Sequence, residues 1–373
     1  MRAALLLIAI AIAVLPPAAR AADYRREELR IPMAAAGPRG LEALVVRPAA
    51  AGRYPLALIS HGTSPDDAER RELAPYRFYR QAVEFARRGF AALVVMRRGY
   101  GDSGGVYAEG TSCCETATRL RSGRTAVDDL RAAIAAMEGR SDVSTRGMIA
   151  VGVSTGAFAT LGLTADPPPG LAAAIAFAPG VRSDNRAATT AAFAHDQATL
   201  VEAFRTLGQT SRIPMLWVYA ANDSFFDPGL AHRLHDAFTA SGGRAQLIDA
   251  PAFGKDGHDL FADGLAIWPA MVDDFLRKQN LGLAAPLAPP SPPAIGTPPR
   301  LNADGRAAFA IYLASGPHKA FAVASNGAFG YWTGRRSLQD AQTRAMAGCA
   351  KYGPDCAIYA NEDPLADTAN GSR

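Results

Sequence analysis

Two serines sit in a Gly-x-Ser-x-Gly frame: Ser154 in Gly152-Val153-Ser154-Thr155-Gly156, and Ser103 in Gly101-Asp102-Ser103-Gly104-Gly105. A serine hydroxyl attacks an acyl carbon only when a tight turn exposes it and a base lies beside it. The flanking residues separate the two serines. Met148 to Val153 is an apolar run of strand character and Ala157 to Leu163 reads as a helix, so Ser154 stands where a strand turns sharply into a helix. The glycines permit that turn, and the helix start leaves peptide N–H groups near the hydroxyl. Arg97 to Gly105 reads instead as a glycine-rich loop after a central strand.

The base follows by elimination among six histidines. His61 and His195 precede the acid candidate, His232 and His235 lie on the helix directly after it, and His318 lies in a separate C-terminal region. His258 remains, in the polar, glycine-bearing run Gly254 to Asp259, which suits a loop presenting an imidazole. Asp223 is the acid candidate because it directly follows the apolar strand Met215 to Ala220. Asp227, just before Pro228, is the reserve and is read more simply as a helix cap. In these roles His258 takes the Ser154 proton and Asp223 orients the ring. The oxyanion donors expected are the N–H groups of Thr155 and of Thr63, in the turn Ser60-His61-Gly62-Thr63. Gly-Asp-Ser-Gly-Gly also resembles the active-serine motif of trypsin-like proteases, but their order of His, then Asp, then Ser does not fit this chain.

The elements that must position these residues alternate between strand and helix. Runs at Leu41 to Val46, Pro55 to Ser60, Ala91 to Met96, Met148 to Val153, Ala172 to Phe177, Met215 to Ala220 and Ala245 to Ile248 read as strands. Several are apolar throughout, as strands of a parallel sheet covered on both faces are. Tyr76 to Arg88, Thr125 to Met137, Pro228 to Ser241 and Leu265 to Lys278 read as helices, and Val181 to Arg212 is the segment long enough to form a lid. A catalytic domain over residues 24–280 is followed by a proline-rich linker over 281–300. A small α+β domain then fills 301–373, with helices Gly305 to Ala314 and Leu338 to Cys349, a hairpin turning at Asn326-Gly327 and a strand Cys356 to Ala360.

Arg2, the apolar stretch Ala3 to Leu15 and the small residues Ala19-Arg20-Ala21 predict a cleaved export signal over residues 1–21, too short to span a bilayer, and hence a periplasmic or secreted product. Export permits disulfides, and Cys349 with Cys356 is the expected pair. Cys113 and Cys114 are adjacent, so a bond between them would close a strained ring and two free thiols fit as well. A chain that is 49% hydrophobic and 20% charged can bury a large core, which excludes broad disorder. The net charge of +4 forms no basic run, which argues against nucleic acid as partner. No ligand-spaced His, Cys or Asp cluster points to a metal, and no cofactor is expected.

Together His61-Gly62-Thr63, Arg98-Gly99-Tyr100-Gly101-Asp102-Ser103, Gly152 to Gly156, Ala221-Asn222-Asp223 and Gly257-His258 resemble the dienelactone hydrolase-like branch of the α/β-hydrolases over Tyr24 to Asn280. The resemblance implies a doubly wound, mostly parallel eight-stranded sheet and cleavage of a small-molecule ester. It departs at one point: dienelactone hydrolases use a cysteine nucleophile where this chain has serine, so lactone specificity is not implied. The C-terminal region is similar to small domains of unknown role that follow hydrolases in exported bacterial proteins. Two other functions compete with an ester hydrolase: a peptidase or amidase using the same residues, and a catalytically silent protein that binds envelope material.

Overall fold

A computed structural model describes residues 24–110, 115–182, 190–290 and 293–362. The expected export signal, and Cys113 with Cys114, lie outside the described residues. The catalytic region begins with strands β1 (Tyr24–Met33), β2 (Gly37–Pro48) and β3 (Tyr54–Ser60), helices α1 (Asp67–Glu72) and α2 (Tyr79–Arg87), and strand β4 (Ala91–Val95). It continues through α3 (Thr116–Glu138), β5 (Val143–Val153), α4 (Thr155–Ala165), β6 (Leu171–Phe177), α5 (Thr190–Gly208) and β7 (Met215–Ala220). It closes with α6 (Pro228–Ala240), β8 (Ala245–Ala250), α7 (Leu260–Asp263) and α8 (Trp268–Lys278).

The eight strands form one sheet in the order β1-β2-β4-β3-β5-β6-β7-β8. Only the β1–β2 and β2–β4 pairings are antiparallel. The apolar strands are buried on both faces because successive residues face two different cores. Leu58, Leu93, Ala150 and Trp217 pack against Ala126, Ala157, Phe204 and Leu234 of α3 to α6. Ile59, Val94, Val151 and Val218 pack on the other side against Phe85, Phe261 and Trp268 of α2, α7 and α8. The segment considered as a lid is different: its described part is mostly α5, whose Leu200, Ala203 and Phe204 are buried in the first core. Asp227 is a cap, its Oδ1 accepting the Leu230 N–H at 3.0 Å. No helix among the described residues is long and apolar enough to cross a membrane.

The C-terminal unit comprises α9 (Ala303–Ala314), β9 (Ala320–Val323), β10 (Phe329–Trp332), α10 (Leu338–Ala350) and β11 (Ala357–Asn361), its strands in the antiparallel order β10-β9-β11. The hairpin turns at Asn326-Gly327, where Gly327 takes φ 86°. Cys349 and Cys356 form a disulfide, their Cα atoms 6.0 Å apart.

This unit does not hang from its linker. The linker's start is tied to α2, with the N–H groups of Leu283 and Leu287 donating to the carbonyls of Arg88 and Arg87 at 2.9 and 2.8 Å. Beyond it, Arg336 reaches Glu42 at 3.1 Å and the Leu73 carbonyl at 2.7 Å, and Arg344 reaches Glu72 at 3.0 Å. His318 stacks edge-on against Tyr76, ring centroids 4.3 Å apart, beside Glu28 of β1 and Glu362 after β11.

Burial alone would lower the His318 pKa, but Glu28 and Glu362 outweigh it and push the pKa up to about 9. A folded value above the ordinary 6.5 stabilises the docked form fully below about pH 6.5, and this contribution is lost as pH rises through 9. Proteolysis within residues 281–300 should therefore be slow at pH 6 and faster at pH 9.5, and His318→Gln should flatten the difference. An unchanged pH dependence in that variant would remove His318 from the contact.

Candidate active site

The parallel strands place their loops along one edge of the sheet, beyond their carboxyl ends, which is where open α/β sheets hold ligands. Ser154 follows β5, Asp223 follows β7, and His258 follows β8 in a single 3-10 turn, Gly257–Asp259. Ser154 takes φ 55° and ψ −123°, a strained conformation for a residue with a side chain. It is the N-cap of α4, and the turn closes because glycines stand two residues before and two after it: a Cβ on Gly152 would lie 2.4 Å from the Gly156 carbonyl oxygen. A Cβ on Gly156 would come within 2.2 Å of the His61 carbonyl oxygen, and one on Gly62 would lie 3.2 Å from the Ser154 Cβ. The turn after β3 therefore lies directly against the serine.

Asp223 and His258 meet directly, with Nδ1 of the ring 3.0 Å from Oδ2. The carboxylate's other oxygen, Oδ1, accepts the N–H groups of Phe225 and Phe226 at 2.8 and 2.9 Å. An ionised carboxylate only accepts, so Nδ1 carries the ring proton and Nε2 is left as the basic lone pair. The Asp223 side chain is fully enclosed whereas His258 is 16% exposed, so the carboxylate is sealed and the imidazole remains reachable. Phe225 covers one side of the imidazole, ring centroids 4.4 Å apart.

The two loops are stitched together. Asp256 Oδ1 accepts the N–H groups of His258 and Ser224, at 2.9 and 3.1 Å, and Asp256 Oδ2 meets the Ser224 hydroxyl. Burial works against its ionisation, yet these hydrogen bonds prevail and hold the Asp256 carboxyl below its ordinary range. Asn222 adds a pair of bonds to the main chain of Phe253, at 2.8 and 3.1 Å.

Ser154 is joined to this pair through packing. Its carbonyl accepts the Gly180 N–H at 3.4 Å, Gly180 lies against the Phe226 ring, and that ring is 5.8 Å from the imidazole. Ser154 Oγ and His258 Nε2 make no hydrogen bond to any described residue. The N–H groups of Thr63 and Thr155 likewise meet no acceptor among the described residues, and the Thr155 hydroxyl is buried without a partner. Ser103 is different: its buried hydroxyl donates to the Met96 carbonyl at 2.6 Å and accepts the Glu42 N–H at 2.9 Å. Among the described residues no group of three or more His, Cys, Asp or Glu gathers as metal ligands.

A buried polar cluster beneath the turn was not visible in the sequence. Arg97, two residues past the end of β4, holds Glu109 in a two-pronged ion pair, and Tyr100 and His61 pack beside it. Lone charges in irregular loops carry no period. The one available signal was an arginine directly following a fully apolar strand, where solvent is out of reach.

A strand-turn-helix serine on a sheet of this order, with a carboxylate and an imidazole paired two and three strands further along the chain, defines an α/β-hydrolase of the serine type. The family model for X-Pro dipeptidyl-peptidase (S15 family) matches residues 39–237, which is more than half of the 373 residues, and the chain belongs to that family. The matched stretch contains Ser154 and Asp223 and ends before His258. Among solved structures the chain is similar to the esterase Pf2001 of Pyrococcus furiosus, with 15% identity, 68% of this chain and 90% of that one covered, and a TM-score of 0.45. It is also similar to the acylaminoacyl peptidase of Pyrococcus horikoshii, with 11% identity, 69% and 41% covered, and a TM-score of 0.46. A Klebsiella pneumoniae protein described as a dienelactone hydrolase shares 15% identity over 68% of this chain and 96% of that one, with a TM-score of 0.42. No curated protein matches.

Proposed function

We propose that this serine hydrolase is exported and cleaves carboxylic esters through an acyl-enzyme, with Ser154 as nucleophile, His258 as base and Asp223 as the group that orients it. The observation that carries the reading is the Asp223–His258 pair, whose second carboxylate oxygen is fixed by two peptide N–H groups, so that the free nitrogen of the ring is the basic one. As Ser154 Oγ bonds to the acyl carbon, its proton passes to His258 Nε2 and the carbonyl oxygen becomes an oxyanion facing the N–H groups of Thr63 and Thr155. Collapse expels the alcohol, which takes the proton from Nε2. Water then repeats the sequence on the acyl-enzyme and releases the acid. Substrate must bring the hydroxyl and Nε2 together, as is common for catalytic hydrogen bonds that are long in the free enzyme.

Membership of the S15 family favours a second reading, in which the same residues cleave a peptide bond. One experiment separates the two. Mature protein is titrated with a fluorophosphonate and then assayed against p-nitrophenyl esters of increasing acyl length and against Xaa-Pro p-nitroanilides. The ester reading expects stoichiometric label on Ser154 and kcat/KM at least about a hundredfold higher for the best ester, a difference of about 2.7 kcal/mol in barrier. Faster anilide cleavage would support the peptidase, and a folded protein that takes no label would support a silent binding protein. Export rests on Arg2, the apolar stretch Ala3 to Leu15 and Ala19-Arg20-Ala21, and predicts a mature N-terminus after Ala21.

A further inference from the structure

Four side chains that take no part in the mechanism above form a closed set beneath the oxyanion turn. Arg97 grips residue His61 from both ends: its peptide N–H donates to the ring's Nε2 at 3.1 Å, and its Nη1 donates to the His61 carbonyl at 2.6 Å and to the Ser60 hydroxyl at 2.9 Å. The His61 Nδ1–H then donates to the Gly62 carbonyl at 2.6 Å. Burial, with the Arg97 charge adding to it, holds the His61 pKa well below the ordinary value, so the ring is neutral and both of its nitrogens are used. The turn is thus fixed up to Gly62. Past that glycine, the contact that holds Thr63 to the protein interior is its hydroxyl, 2.6 Å from the Tyr100 hydroxyl, which in turn lies 2.9 Å from Glu109 Oε2.

Proton bookkeeping gives this chain a direction. The Glu109 carboxylate accepts from Arg97 Nε and Nη2 and from Tyr100, and it can donate nothing. Tyr100 has one hydroxyl proton, which goes to the carboxylate, so at 2.6 Å its oxygen takes the Thr63 hydroxyl proton in preference to the Ser64 carbonyl, which is 3.3 Å away. Arg97, Tyr100 and Glu109 are almost entirely enclosed, and the Glu109 carbonyl is tied to α3 by the Ser122 hydroxyl at 2.7 Å. A buried ion pair is a weak source of stability, because desolvation offsets most of its attraction, but it is a stiff source of direction.

We infer that Tyr100 and Glu109 are positioning residues for hydrolysis: anchored by Arg97, they fix Thr63 through its hydroxyl so that its peptide N–H is held toward the oxyanion formed at Ser154. The inference rests on Ser154 being the nucleophile. A donor displaced by less than an ångström loses part of the two to three orders of magnitude that an oxyanion donor supplies.

The test is a double-mutant cycle on the full mature chain, read with a p-nitrophenyl ester and with fluorophosphonate. Tyr100→Phe keeps the ring against His61 and deletes only the hydroxyl; Thr63→Val deletes the other end of the same hydrogen bond and keeps the N–H. Each is expected to lower kcat by about ten- to a hundredfold with KM within about twofold, the double variant is expected to be no worse than either single one, and Thr63→Ser is expected to restore most of kcat. General loosening of the fold would give neither the non-additivity nor the rescue by serine. Should Tyr100→Phe fail to fold, the pair Thr63→Val and Thr63→Ser still decides. Wild-type kcat in Thr63→Val, or losses that multiply in the double variant, would overturn the inference while Ser154 still takes the label. A wild type with no label on Ser154 would overturn the reading beneath it as well.

Discussion

Ser154→Ala is expected to lower ester turnover by about five to six orders of magnitude and to abolish fluorophosphonate labelling, because removal of the nucleophile from a unit of three leaves only binding and the oxyanion donors. The informative comparison is Ser103→Ala, the other serine in the same motif. Its hydroxyl bridges the Met96 carbonyl and the Glu42 N–H inside the protein, so its loss strands a buried donor and acceptor at a cost of about 1–3 kcal/mol. That variant should melt several degrees lower and keep kcat within a fewfold of wild type. Equal loss of turnover in two folded variants would place the nucleophile elsewhere.

What separates the two serines is legible in the sequence itself, because it depends on the elements around them. Strands such as Ala91–Val95 and Met215–Ala220 are apolar at every position since two layers of helix cover them, and their brevity separates them from a buried helix, which would run about ten residues or more. The strand that escaped, β1, has the sequence Tyr-Arg-Arg-Glu-Glu-Leu-Arg-Ile-Pro-Met, half turned to solvent at the sheet's edge, and its charges mask the pairing. The first turns of α3 escaped for a related reason. They are held by Arg119, buried and bonded to the Val181 carbonyl and to Asp196, and a buried arginine reads as a surface residue. The docking of the C-terminal unit through Arg336 and Arg344, and the Arg97–Glu109 pair under the turn after β3, were hidden in the same way. Apolar periodicity reports which face is dry; it is silent about charges that meet across long stretches of chain. The Asp223–His258 pair was found in spite of this, because the order of residues along strands already placed left one histidine in the required loop.

Asp223→Asn should lower kcat by about four orders of magnitude while leaving stability within about 1 kcal/mol, and the reason lies in how the two carboxylate oxygens are used. Oδ1 accepts two peptide N–H groups, from Phe225 and Phe226, and no donor can replace it there without two clashes of hydrogen. An asparagine must therefore keep its oxygen at that position and turn its NH₂ toward His258. Facing a donor, the ring's Nδ1 becomes the acceptor and the proton moves to Nε2. The imidazole then sits where it did before, with the wrong nitrogen bare, and cannot take the Ser154 proton. Binding is untouched, so KM should change little and the loss should fall on kcat. Asp227→Asn supplies the control: asparagine caps a helix about as well as aspartate, so α6 and turnover should both survive. Turnover of Asp223→Asn within tenfold of wild type would show that the orientation of His258 does not depend on this carboxylate, and Asp256, which holds the same loop, would become the residue to test.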